Sequence, residues 1–250
     1  MIFDAKFPTS EDLEVLSDRA PTSTTDSLND FHDVVVRKPW GSEYLLFENM
    51  DVAVWILTID KGQQTSMHCH PKKNTSLAVL SGQAICRTFE REFELSVGEG
   101  VYIGKKVFHQ SINKSNNRLI MMEIESPVDK FDLVRQEDGY GRVGSGYEGK
   151  ESCDTKKNLT IESDLSLTGP KECEIGEAKV VIGYVETFNE LESLLKDVRY
   201  AILSILDRHV WTSDGDKFYE VGQAFKADNS LSQKDLNINT GFHYLLISRL

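Results

Sequence analysis

The chain is short of positive charge. Its 250 residues carry 28 Lys and Arg against 40 Asp and Glu, a net charge of -12, with a pI near 5.0. Nucleic acid and anionic membrane surfaces both require clustered cations that displace counterions, so neither is an expected partner. Any anionic ligand must be held by a local basic pocket. Long apolar runs are also missing, and none approaches the length that spans a bilayer. The opening MIFDAKFPTSEDLEVLSD has neither the basic start nor the uninterrupted apolar core of a signal peptide, so the expected location is cytoplasmic. Four cysteines, Cys69, Cys86, Cys153 and Cys173, show no CxxC pair and no disulfide-framework spacing, which points to free thiols in a reducing compartment.

Helix signals are few. SEDLEVLSDR offers a short helix with Ser10 as N-cap, and ETFNELESLLKDVRYA offers another, capped by Thr187 or Asn189, with Leu191, Leu194 and Leu195 at helical spacing. What the sequence has in quantity is short β-type runs: VVVRK, SEYLLFE, VAVWILTI, SLAVLSG, QAICRTFE, REFELSV, GVYIG and RLIMMEI. Turn signals (KGQQ, SGQ, VGEG, NKSNN) separate them at the close spacing of antiparallel strands in a sandwich or barrel. With 40% hydrophobic residues the chain can build one large core or two small ones.

The expected organisation is an N-terminal arm (1–32), a β-barrel domain (33–145), a polar Gly-rich loop (146–172) and a second β-rich unit (173–250). The two units echo each other: LAVLSG, FELSVGEGVYIG and NRLIMMEI are answered by AILSILD, KFYEVGQAFKAD and HYLLISR, with Gly98 answering Gly222. A duplicated barrel, degenerate in its second copy, is the expectation; chance similarity between β-rich segments is the competing reading.

The chemistry concentrates in MHCHPKKNTSLAVLSG. Alternate residues of a strand share a face, so His68 and His70 project together while Cys69 points away. His109, in VGEGVYIGKKVFHQSIN, supplies a third imidazole. Three such donors suit a divalent transition metal of borderline softness: Zn, Fe, Mn, Co or Ni.

These two stretches resemble the paired motifs of the cupin superfamily. The first is similar to G-x5-H-x-H-x4-E-x6-G, with Gly62, His68, His70 and Gly82 in place; the second to G-x5-P-x-G-x2-H-x3-N, with Gly98, His109 and Asn113 in place. Two further stretches, VVVRKPWGSEYLLFE and DLVRQEDGYGR, resemble the cupin domain of type II mannose-6-phosphate isomerase and mannose-1-phosphate guanylyltransferase. The resemblance implies an all-β double-stranded β-helix (jelly roll), as a bicupin whose second barrel lacks the site. Three positions depart from the motifs: Thr75 stands at the Glu position, and Gly104 and Lys106 stand where Pro and Gly are usual. Without the Glu the only anionic ligand is gone, and metal affinity should fall.

The resemblance also implies a sugar-phosphate substrate, isomerised between aldose and ketose by a metal that polarises two oxygens and a base that moves a proton. Glu123 is the first candidate base, with Glu125 on the same strand face. Lys72, Lys73, Lys105 and Lys106 flank the ligand loops as candidate phosphate contacts, and Arg135, Tyr140 and Arg142 are alternative anion contacts; Tyr140 and Arg142 could equally pin the exit strand. Trp40 is read as filling the barrel end, and His32, His209 and His243 as structural. Three functions stay open: a sugar-phosphate isomerase, a three-histidine metal-dependent dioxygenase, and a carbohydrate-binding cupin without catalysis. Whether the chain forms a homodimer is left open.

Overall fold

The structure, a computed structural model, describes residues 1–21, 28, 30–161, 165, 169–198, 200–208, 210–211, 218–231, 236, 238 and 241–250. His209 therefore lies outside the described residues, as do parts of the expected arm and of the expected loop. The first unit comprises β1 (Ile2–Ala5), α1 (Ser10–Ser17), β2 (Val34–Lys38), β3 (Gly41–Glu48), β4 (Ala53–Ile59), β5 (Met67–Cys69), β6 (Asn74–Ser81), β7 (Gln83–Thr88), β8 (Glu92–Ser96), β9 (Gly100–Ile103), β10 (His109–Asn113), β11 (Leu119–Ser126), β12 (Val134–Glu137) and β13 (Cys153–Thr155). An eight-stranded sheet, β1-β9-β6-β11-β4-β3-β2-β13, faces a five-stranded sheet, β12-β5-β10-β7-β8.

Period-two alternation decides what lies between them. Val36, Leu45, Trp55, Leu57, Leu77, Val79 and Met121 of the large sheet meet Ala84, Cys86, Phe93 and Leu95 of the small one in a single apolar core. This is the jelly roll that the sequence leads one to expect. The intervening residues of the large sheet, including Val54, Ile56, Ala78, Leu80, Met122 and Ile124, point outward and are equally apolar. They need a second cover.

The second unit supplies it: β14 (Lys171–Ile175), β15 (Ala178–Val185), α2 (Phe188–Leu195), β16 (Ala201–Ile205), β17 (Val210–Trp211), β18 (Phe218–Tyr219), β19 (Ala224–Ala227) and β20 (Phe242–Arg249). Its sheet, ordered β14-β15-β20-β16-β19, lays Val180, Ile182, Ile202, Leu245 and Ile247 on the outer face of the large sheet. α2, capped by Thr187, covers the far face through Phe188, Leu191 and Leu195. The order of this third sheet repeats β3-β4-β11-β6-β9 of the first unit, element for element. Gly98 and Gly222, the residues that echo each other in sequence, precede β9 and β19 with positive φ angles of 76° and 78°. Among the described residues no helix is long and apolar enough to cross a membrane.

Two stretches read as arm and loop are bound to the barrel. β1 pairs in parallel with β9, and α1 places Val15 and Leu16 against Met67, Cys69, Phe108 and Val134 on the outside of the small sheet. Its N-cap is Thr9, one residue before the expected Ser10, because Thr9 and Asp12 form a reciprocal capping box. Asp12 also accepts a 2.7 Å bond from the Phe108 amide. Downstream, β13 pairs with β2, and Asp33 accepts bonds from the amides of Asn158, Leu159 and Thr160. Residues 153–160 of the stretch read as a linker or surface loop thus lie against β2 and its approach.

Candidate metal centre

β5 and β10 are neighbours in the small sheet, with His68 paired directly to His109, and His70 follows at the end of β5. The three imidazoles meet in the barrel: ring centroids lie 4.5 Å (His68–His109), 5.1 Å (His68–His70) and 5.5 Å (His70–His109) apart. One nitrogen from each lies within 4.8 Å of the others. Two nitrogens bound about 2.1 Å from one ion are at most about 4.2 Å apart, so a shift below about 1 Å would close the set.

The backbone has chosen which nitrogen is offered. Nδ1 of His68 donates to the Ser66 carbonyl at 2.8 Å, Nδ1 of His70 to Asp132 at 2.6 Å, and Nδ1 of His109 to Val107 at 3.1 Å. With the proton held on Nδ1, each Nε2 lone pair is free. Nε2 of His70 is buried without any hydrogen-bond partner. Burial, and then the neighbouring His109, holds His68 well below the usual imidazole range; burial and Lys73 do so for His70, and burial brings His109 to about 4. Neutral imidazoles with Nδ1 engaged, one of them with an orphaned Nε2, fit a divalent transition metal. Asp132 secures the arrangement, since its carboxylate also accepts the amides of Lys72 and Lys73 at 2.7 and 3.1 Å.

Beside this set is a cavity of about 60 Å³. Glu123 projects into it from β11, its carboxylate 3.9 Å from Nε2 of His70. Burial, opposed by Lys130 and assisted by Glu125, lifts its pKa to about 7. Glu125, two residues on, is committed elsewhere: it is bonded to the Lys73 ammonium and accepts from Trp55 Nε1 at 3.2 Å. Thr75 lies buried on β6, its hydroxyl without a partner, paired in register with Glu125.

The other sequence candidates divide. Lys73, Arg135 and Arg142 line the cavity, as does Trp40. Arg142 is held by Asp138 at 2.7 Å and Glu148 at 2.6 Å. Tyr140 is not among the lining residues; its hydroxyl donates to Gln63 and the Gln64 carbonyl at 2.8 and 3.0 Å and ties the exit strand to the Gln63–Gln64 loop. Lys72, Lys105 and Lys106 are exposed and do not line the cavity. Asn113 spends its amide on the carbonyls of Ile59, Asp60 and Asn117, and His32 and His243 pair with Asp30 and Asp207.

Five lining or adjoining residues escaped the sequence reading: Lys38, Glu43, Lys130, Tyr147 and Glu148. Lys130 packs 3.5 Å over the Trp55 ring and 2.9 Å from Glu43. Lys38 lies 3.3 Å from Glu43, is bonded to Glu148, and stands 3.7 Å over Tyr147. Burial raises the pKa of Glu43, but Lys130 and Lys38 outweigh it and bring the carboxyl to about 2. Alternation was the available signal for two of these residues, because Lys38 shares a strand face with Val34 and Val36, and Glu43 with Leu45.

Among curated proteins none matches the chain in sequence. Solved structures that it resembles include the capsular polysaccharide assembling protein CapF from Staphylococcus aureus, 20% identical over 42% of this chain and 34% of that one, with a TM-score of 0.39. The chain thus spans about a third of the length of CapF. It also resembles AerE from Microcystis aeruginosa, 13% identical over 85% of this chain and 94% of that one, TM-score 0.37, and KdgF from Halomonas sp., 17% identical over 43% and 96%, TM-score 0.36. Residues 24–138 match the family described as Mannose-6-phosphate isomerase C-terminal. The barrel around the three histidines lies within the stretch that resembles that family.

Proposed function

We propose that this chain is a metal-dependent isomerase-type enzyme acting on a sugar, of the aldose–ketose class that its family resemblance suggests. The observation that carries the reading is the convergence of three Nε2 lone pairs beside an independent carboxylate, with Glu123 3.9 Å from His70. His68, His70 and His109 would hold a divalent transition metal, which when bound polarises the carbonyl and hydroxyl oxygens of the substrate. Glu123, as carboxylate, takes the proton from the carbon next to the carbonyl and returns it to the former carbonyl carbon, while the hydroxyl proton passes from the neighbouring oxygen to the former carbonyl oxygen. Its pKa of about 7 suits both halves of that transfer. The barrel wall limits water around the transfer. On the same reading the C-terminal unit is a second copy of the barrel that has kept the strand order without the site.

The neutral donor set also supports a second reading, a metal-dependent dioxygenase. Turnover under nitrogen by the metal-loaded chain favours isomerisation, and oxygen consumption with ferrous iron favours the alternative. Glu123→Gln should retain metal and lose isomerase turnover by about two to four orders of magnitude. His68→Ala should lose metal, while His32→Ala, altering an exposed pair with Asp30, should keep it. Equal occupancy in those two variants removes the metal centre from the argument, and with it the proposed chemistry.

A further inference from the structure

We propose that residues 141–149 are a gate over the cavity beside the three histidines, swinging outward to admit and release ligand; this rests on the reading of that cavity as the substrate site. The cavity measures about 60 Å³. Pockets that hold small molecules are roughly 300–1,000 Å³, so a sugar phosphate of the class the family resemblance implies does not fit the barrel as it stands. Part of the wall must move. His68, His109 and Glu123 come from β5, β10 and β11, strands fixed in the two sheets. Arg142 and Tyr147 line the same cavity from a stretch that contains no strand or helix.

The sequence of that stretch suits the role. GRVGSGYEG has four glycines in nine residues. Gly141 and Gly144 both hold φ at 79°, and a Cβ at either would meet nothing within 4 Å, so no packed neighbour holds these two turns. The segment joins none of the sheets, and backbone bonds at its start close locally, Gly141 to Asp138 at 3.4 Å and Ser145 to Arg142 at 2.9 Å. Side chains tie it to the barrel. Glu148 is bonded to Lys38, the Tyr147 hydroxyl donates to Glu43, and Arg135 gives Nη1 to the carbonyls of Ser145 and Gly146 at 2.6 and 2.8 Å. Just upstream, Tyr140 is anchored to Gln63 and Gln64, which sets the fixed end of the swing. Such a latch opens at small cost. Lys38 and Glu148 are nearly dry when closed, and opening returns the carboxylate to water, so hydration offsets much of the lost attraction. Lys38 stays 3.3 Å from Glu43, so its ammonium is not stranded when Glu148 leaves.

Acrylamide quenching of tryptophan fluorescence in the metal-free full chain tests the gate. Trp40, which lines the cavity, and Trp55 are 4% and 1% exposed; Trp211, half-exposed, is changed by Trp211→Phe in every protein compared. Glu148→Gln should raise the quenching constant about tenfold, as one charge-assisted hydrogen bond ceases to favour closure. Tyr147→Phe, which removes the bond to Glu43, should raise it several-fold, and carries the test alone if Glu148→Gln does not fold. Arg37→Ala removes an exposed pair with Asp154 outside the gate and should leave quenching unchanged. Equal quenching in all variants, or a rise with Arg37→Ala that matches the latch variants, overturns the proposal. Metal uptake by the same proteins is read separately. Gated tryptophans without metal binding remove the isomerase reading and leave the gate; metal binding with ungated tryptophans does the reverse.

Discussion

At the scale of single residues, the site turns on one substitution. Thr75 occupies the place where the motif carries a glutamate, buried and with its hydroxyl unpaired. Thr75→Glu should raise metal affinity by at least about tenfold, because a carboxylate adds an anionic donor to three neutral ones; unchanged affinity in a competition titration with a chromophoric chelator would mean position 75 does not reach the ion. The metal-free variant should lose stability on the order of several kcal/mol, since the new carboxylate is buried beside Glu125. The histidine set was legible in sequence because strand alternation is a local rule. The Lys130–Glu43 and Lys38–Glu148 pairs were not, since they join residues 87 and 110 positions apart, and that separation is set by chain path rather than by pattern.

At the scale of elements, the runs read as strands coincide with β2 to β4, β6 to β9 and β11 because each is rich in the β-branched, aliphatic and aromatic residues that pack on a sheet. β1 and β13 escaped notice: they are only four and three residues long, and exist through pairing with neighbours. β1 also accounts for one departure from the family motif. Gly104 donates its amide to Ala5 at 3.1 Å, which a proline could not do, and a Cβ there would overlap the Lys6 carbonyl oxygen. Lys106 keeps the left-handed conformation of the glycine it replaces, at φ 70°. Gly104→Ala should therefore destabilise by about 1–3 kcal/mol as β1 is pushed off. Lys106→Gly should gain up to about 1 kcal/mol by relieving the backbone. Denaturant unfolding of both variants checks the pair, and equal stabilities would remove β1 from the account.

At the scale of the whole molecule, burial of the histidines couples folding to pH. The unfolded chain takes up protons near pH 6.5, while the folded imidazoles resist, His109 down to about 4. As pH falls through this window the unfolded state binds more protons and folded stability drops. Glu123 acts in reverse: with a folded pKa of about 7 against 4.5, it costs stability as pH rises between those values. Three histidines outweigh one carboxyl. Metal-stripped protein should thus be less stable near pH 5 than near pH 7, by on the order of 2–4 kcal/mol, and His109→Gln should make the dependence shallower. A flat urea midpoint across that range would show that the imidazoles are solvated.

The eight-stranded sheet ends in a four-residue strand on one side, β1, and a three-residue strand on the other, β13. Open flanks of a long sheet are templates on which a foreign chain can lengthen the ladder. Here each flank is closed by a piece of the protein's own polypeptide too brief to recruit another, so the same peripheral strands that escaped notice in the sequence guard the barrel against self-association into fibres.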